Sequence, residues 1–158
     1  LTPTNQLVIL RTSWLLGPEG KNFLLTMLNL HQTKNKLKVV SDQIGVMSST
    51  FDLAKICWEI IINWNLISRK QHIFHRTCLG VSSWFDIAIE IGNIATKYGI
   101  LRNPAEVSPV KTIDYSTLAK RPKFSLLDCA GSNGINNIEC KYWRDELENI
   151  ILKIKGQQ

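Results

Sequence analysis

Along this chain the hydrophobic positions change period in a repeating way. Residues 7–12, "LVILRT", run apolar and β-branched without alternation, the pattern of a strand covered on both faces. The turn "GPEGKN" follows, and then Phe23, Met27 and Leu30 recur at helical spacing. "LKVV" from Leu37 reads as a short strand, and "STFDLAKICWEIIINWNLI" as a long helix that Ser49 or Thr50 caps, with Asp52 in its first turn. "HIFHRT" from His72 is a further strand, and "SSWFDIAIEIGNIATKYG" a helix that begins at a serine cap and stops at Gly99. "EVSPV" and "FSLLD" read as short strands flanking the polar loop "KTIDYSTLAKRPK", which carries one helical turn. Residues 142–154 close the series as an amphipathic helix. This alternation predicts an α/β fold: a mainly parallel sheet with helices on its faces, no internal repeat and no linker.

Composition narrows the picture. At 158 residues the chain amounts to about one ordinary domain, and 44% hydrophobic with 20% charged residues excludes a disordered one. The longest apolar stretch, "ICWEIIINWNLI", is interrupted by Glu59, Asn63 and Asn65 and is too short and polar to span a bilayer, so a soluble protein without membrane partners is expected. No secretory signal opens the chain, taking residue 1 as a native start. The net charge of +6 is scattered through "KNKLK", "SRKQH", "AKRPK" and "LKIKG" without interleaved aromatics. That distribution argues against a nucleic-acid partner and for a solvated face with a few residues free to meet a phosphate. Cys57, Cys78, Cys129 and Cys140 form no Cys-x-x-Cys pair and have no His at zinc-finger spacing. They read as free buried thiols in a reducing cytoplasm.

Several groups resemble chemistry and have a plainer reading. "LLDCAGSNG" places Gly131 and Gly134 after an apolar run but lacks a third glycine and an apolar helix behind it, so it reads as a turn and not a dinucleotide loop. His31, His72 and His75 form no metal set with acidic residues and read as structural or exposed. Asp52 and Asp86 sit where carboxylates cap helices, and the pairs Trp58 with Trp64 and Trp84 with Phe85 sit in helices where aromatics fill a core.

Polar and aromatic groups gather instead at the ends of strands, where open α/β sheets bind ligands. Three loops qualify: "RTSWLLGPEGKN", "SDQIGVMSST" and "YSTLAKRP". Trp14 offers a flat apolar face to a sugar ring or base, and Asn22 and Gln43 offer donors and acceptors to hydroxyls. Arg121 can fork onto a phosphate, with Lys120 adding charge.

The blocks "ILRTSWLLGPEGKNFLLTML", "LKVVSDQIGVMSSTFDLAKI", "IFHRTCLGVSSWFDIAIEI" and "AKRPKFSLLD" resemble, in order and spacing, the C-terminal half of the dTDP-4-dehydrorhamnose reductases. The resemblance runs from about Leu7 to the last helix. These are Rossmann-like extended short-chain dehydrogenases that reduce dTDP-6-deoxy-L-lyxo-4-hexulose to dTDP-L-rhamnose with NADPH or NADH. The resemblance implies that residues 1–17 are a late strand of the Rossmann sheet and the start of the substrate loop, and that residues 18–158 are the substrate-binding region. It places Arg11, Thr12 and Ser13 beside the cofactor, and Trp14, Asn22, Gln43 and Arg121 on the substrate side. Met47, Ser48 and Ser49 stand where the family carries a Pro and a Thr.

Hydride transfer in this family needs a glycine-rich turn for the pyrophosphate and a Tyr-x-x-x-Lys pair in which the lysine lowers the phenol pKa. Neither motif is present: Tyr115 is followed by Lys120 at five residues, and Tyr98 and Tyr142 have no lysine four residues on. The expectation is a C-terminal half without catalytic residues or a metal site, inactive alone, partnered by a missing nucleotide-binding half and by a dTDP-sugar, and able to form a homodimer. The alternatives are a non-catalytic binding subunit like the reductase-like regulators of methionine adenosyltransferase, another NAD-dependent sugar-nucleotide epimerase or reductase, and an RNA-binding face for which no motif speaks. Loss of the nucleotide-binding half predicts an unpaired strand edge at Leu7 to Leu10 and self-association through it.

Overall fold

A computed structural model describes residues 7–64, 73–115, 121–130 and 139–156. Strands β1 (Ile9–Arg11) and β2 (Leu15–Leu16) lead into α1 (Phe23–Thr33) and β3 (Lys36–Val40). The short strands β4 (Ile44–Gly45) and β5 (Ser48–Ser49) precede α2 (Thr50–Ile62). Then come β6 (Ile73–His75), β7 (Ser82–Ser83), α3 (Trp84–Lys97), β8 (Glu106–Val110) and α4 (Trp143–Gly156), with a 3₁₀ turn at Thr112–Asp114. The α/β alternation is as the periodicity predicts. Among the described residues the strands form the parallel pairs β1–β6, β2–β5 and β3–β8 and the antiparallel pair β4–β7 rather than one sheet.

Local chemistry sets the helix starts. Asn22 accepts the amide of Leu25 at the head of α1. Ser49 accepts the amide of Asp52 at the head of α2, choosing between the two caps the sequence allows. Ser83 and Asp86 form a reciprocal capping box at α3, and Gly99, at φ +73°, takes the left-handed turn just past its end.

The core is built around α3. Ile87, Ala88, Ile91 and Ile94 face Leu24 and Met27 of α1, Leu37 and Val39 of β3, and Trp143, Leu147, Ile150 and Ile151 of α4. His31 is also enclosed there, its Nε2 2.9 Å from the carbonyl of Ala88. Met47, Ser48 and Ser49, the family departures, are buried and ordered, with Ser48 paired to Leu15.

The region around α2 is built differently. Ile56, Ile60 and Phe74 are buried but stand apart from the main cluster. The first turn of α2 is tied down by charge: Arg76 Nε lies 2.7 Å from Asp52 Oδ2 and Nη2 lies 2.8 Å from Oδ1, with the arginine side chain only 1% exposed. Asp52 therefore anchors an arginine as well as supplying negative charge to the first turn. The carboxylate in turn raises the pKa of Arg76.

Four expectations are corrected. The strand at residues 7–12 is not covered on both faces: β1 has β6 as its neighbour among the described residues, Ile9 and Arg11 are exposed, and Leu7 is 65% exposed. Trp58 does not fill a core but is 65% exposed on α2. "FSLLD" forms no strand, only a single bridge from Phe124 to Ile44. The cysteines are free, but Cys57 is exposed and Cys129 and Cys140 are half-buried; Cys78 alone is buried, its thiol pushed up to about 12 by desolvation. His72, Lys120, Gly131 and Gly134 lie outside the described residues. Among the described residues no helix is long and apolar enough to cross a membrane, and no group of three His, Cys, Asp or Glu is placed to hold a metal.

Candidate functional site

A cavity of about 570 Å³ opens where β2, α1, β3 and the loop after β3 meet. Its lining includes Trp14, Phe23, Lys38, Gln43, Trp84, Tyr115 and Arg121, above a floor of Leu16, Met27, Leu37 and Val39. Three of the four expected substrate residues, Trp14, Gln43 and Arg121, are thus brought together from segments more than a hundred residues apart.

Asn22 is placed otherwise. Its carboxamide accepts from Leu25 N and donates to the carbonyls of Gly17 and Glu19, both at 3.0 Å, so it shapes the turn after β2 and does not line the cavity. The three residues expected beside the cofactor also have partners. Thr12 donates to Ser48 Oγ at 2.7 Å and Ser13 to the carbonyl of Val46 at 2.9 Å, while Arg11 is exposed on β1. Both hydroxyl protons are thus engaged within the chain, and the oxygens retain lone pairs.

Gln43 has a fixed orientation. Asp42 Oδ1 accepts from both the amide and the hydroxyl of Thr112, at 2.8 and 2.6 Å. These bonds hold the Asp42 carboxyl below its usual pKa. A carboxylate only accepts, so the Thr112 proton points to Asp42 and its oxygen must accept from Gln43 Nε2, 3.2 Å away. That bond commits one N–H and fixes which end of the carboxamide faces Thr112, leaving the carbonyl oxygen as the acceptor Gln43 has for a ligand.

Arg121 reaches the cavity because its segment is stitched to the same loop. Ile44 N donates to the carbonyl of Lys123 at 2.7 Å, and Ser125 N donates to the carbonyl of Ile44 at 2.8 Å. Lys38 adds a second cation from β3, a residue of strand alternation that no motif singled out.

The aromatic wall is the least expected part. Trp14 and Trp84 stack with ring centroids 4.0 Å apart and planes 19° apart, and Phe23 tilts onto Trp84 at 4.6 Å. Trp84 packs against the core as its helical position implies, and it is a wall of the cavity as well. A β-carbon built on Gly45 would lie 2.7, 2.9 and 3.1 Å from Cζ2, Cε2 and Cη2 of Trp14. Near-equal distances to three consecutive ring atoms mean an approach over the ring face, since an edge-on approach would leave the outer two much farther away. The atoms nearest that point belong to Trp14 and none to Trp84, so Gly45 and Trp84 cover opposite faces. Trp14 itself is held at φ +47°, a left-handed conformation that costs a bulky residue about 1–3 kcal/mol and persists where its surroundings over-determine it.

The loops that build this cavity are those shared with a known family: residues 2–155 match the RmlD substrate binding domain. The chain belongs to that family. A dTDP-4-dehydrorhamnose reductase of Aggregatibacter actinomycetemcomitans is 39% identical over 153 residues, covering 95% of this chain and 51% of that protein. The spore coat polysaccharide biosynthesis protein SpsK of Bacillus subtilis is 34% identical over 148 residues, covering 94% and 48%. Among solved structures, a dTDP-4-dehydrorhamnose reductase from Clostridium acetobutylicum superposes with a TM-score of 0.80 at 35% identity, over 94% of this chain and 49% of that one. One from Bacillus anthracis, in complex with NADP, gives 0.75 at 30% identity over the same shares. This RmlD substrate-binding chain spans about half the length of the relatives it matches.

Proposed function

We propose that the chain is the substrate-recognition half of a dTDP-4-dehydrorhamnose reductase, a cytoplasmic enzyme that reduces dTDP-6-deoxy-L-lyxo-4-hexulose to dTDP-L-rhamnose with NADPH or NADH. The observation that carries this reading is the cavity itself, which combines an apolar aromatic wall, one oriented acceptor and two cations. That set suits a deoxysugar joined to a diphosphate. The aromatic wall of Trp14 and Trp84 lies against the apolar part of the sugar, Gln43 Oε1 accepts from a hydroxyl or an imide N–H, and Arg121 and Lys38 face the diphosphate. Asn22 serves the site through the turn it closes. Arg11, Thr12 and Ser13 lie on the strand and loop that run toward the cofactor.

In this reading the chain binds and orients, and the hydride and the proton come from a nucleotide-binding half. The exposed edge of β1 and the uncovered face of α2 are where that half docks, and a homodimer forms from the completed unit. The reading is tested by calorimetric titration of the chain with dTDP-L-rhamnose. Saturable binding is expected, weakened by about 1.5–3 kcal/mol in Arg121→Ala through loss of a charge-assisted contact. No binding at millimolar ligand, or an unchanged affinity in that variant, rejects it.

A further inference from the structure

We infer that Gly45 and Trp84 are positioning residues that grip Trp14 by both ring faces, so that it meets the ligand along the edge of its indole and not as a stacking platform. The inference rests on the reading of the cavity as a sugar-nucleotide site. A ligand can stack on an aromatic ring only where a face is free. Here one face of Trp14 is closed by the backbone of Gly45 and the other by the ring of Trp84, yet the residue is partly exposed and lines the cavity. Exposure that is not on the faces is on the rim. No acceptor among the described residues takes the Nε1 proton of Trp14, and the atom is not among the buried polar atoms left without a partner.

The two jaws are one structural unit. Gly45 pairs with Ser82 and Ile44 with Ser83 in the antiparallel pair β4–β7, and Trp84 is the residue after Ser83, at the first position of α3. The capping box of Ser83 and Asp86 fixes the direction in which α3 leaves that pair. Gly45 has no left-handed backbone that would demand a glycine; what demands it is the ring lying where a side chain would begin. The left-handed φ of Trp14 delivers its ring into this slot.

The test uses the chain with dTDP-L-rhamnose as the probe, read by calorimetry and by near-ultraviolet circular dichroism, where two stacked indoles couple and give a paired positive and negative band. Wild type should show the couplet. Gly45→Ala should lose it and bind about ten-fold or more weakly, with its helix content kept. If Gly45→Ala does not fold, Trp84→Leu and Trp84→Phe carry the test: Leu weakens binding about ten-fold, and Phe, which keeps a flat jaw, restores it to within about three-fold. Trp14→Phe should bind as weakly as Trp14→Leu, because a phenyl ring keeps the faces but not the reach or the N–H of the indole rim.

A couplet missing from the wild type, a Gly45→Ala protein that keeps both couplet and affinity, a Trp84→Leu protein that binds like wild type, or a Trp14→Phe protein within about two-fold of wild type overturns the inference. Should the wild type not bind dTDP-L-rhamnose, the sugar-nucleotide reading falls and the rim contact falls with it. The grip on Trp14 is then still decided by the couplet in wild type against Gly45→Ala.

Discussion

Helices α2 and α3 are of nearly equal length, each begins at a serine cap with an aspartate in the first turn, and each reads in sequence as an apolar helix behind a short strand. One is finished and the other is not. α3 buries Ile87, Ala88, Ile91, Gly92, Ile94 and Ala95 and touches α1, α4, β3, β7 and β8. α2 buries only Ile56 and Ile60, and leaves Trp58, Ile61 and Ile62 in solvent, Ile62 at 73%. The difference follows the neighbours and not the helices themselves. The elements that build the cavity pack on one another within the chain, while β1 and α2 present apolar surface with nothing in the described residues to cover it.

The comparison can be broken by mutation. The largest effect should come from Asp52→Ala, which takes the carboxylate away from the buried Arg76 guanidinium and detaches the first turn of α2. About 3–5 kcal/mol should be lost in denaturant unfolding, and a loss under 1 kcal/mol would show that α2 is held by packing alone. Ile91→Ala opens a cavity at the centre of the α3 core and should cost about 2–5 kcal/mol. Ser83→Ala removes one side of the capping box and should cost about 0.5–2 kcal/mol by the same measurement. Ile62→Ala, on the open face of α2, should stay within about 0.5 kcal/mol. An effect there as large as that of Ile91→Ala would mean that the face is already covered in solution, by a second copy.

The smallest effect is on the acid side of the stability curve. The bonds from Thr112 lower the Asp42 pKa from its ordinary value near 3.8, so their contribution is present above that value and disappears as pH falls through the lowered one. Asp42→Asn should flatten that part of the curve in thermal melts taken between neutral and strongly acidic pH. A curve that keeps its slope would remove Asp42 from the set of groups that hold Gln43.

The order of the elements was legible because caps and period changes are local: Ser83 followed by Asp86 and the glycine after Tyr98 mark α3 without reference to anything distant. The cavity was legible in part, through loops that end strands. The capping role of Asn22 was not legible, because a carboxamide that caps a helix and one that binds a hydroxyl look alike in sequence, and only the positions of Gly17 and Leu25 show the cap. The packing of Trp84 was legible and its place on the cavity was not, because helical spacing reports that a face is apolar and not whether a cavity lies against it. Gly45 carried a signal that was available, a glycine without a turn to explain it, but the indole that explains it arrives from more than thirty residues away. The exposure of β1 and α2 could not be read from their apolar runs, since such runs state that a surface is to be covered and are silent on what covers it.

The strand pairings carry a kinetic consequence. β1 pairs with β6, β2 with β5 and β3 with β8, each time across intervening elements, so that Ile9 waits for Ile73 and Lys36 for Glu106. None of these contacts can reward the chain until a long loop has closed, and parallel pairing over such distances places folding on the slow side for a chain of this size. The apolar residues of α2 and β1 that stand open in the folded chain are open during that interval too. Crowded synthesis of this polypeptide is therefore a race between loop closure and intermolecular contact, and the covering of that face by another polypeptide segment would decide its yield as much as its activity.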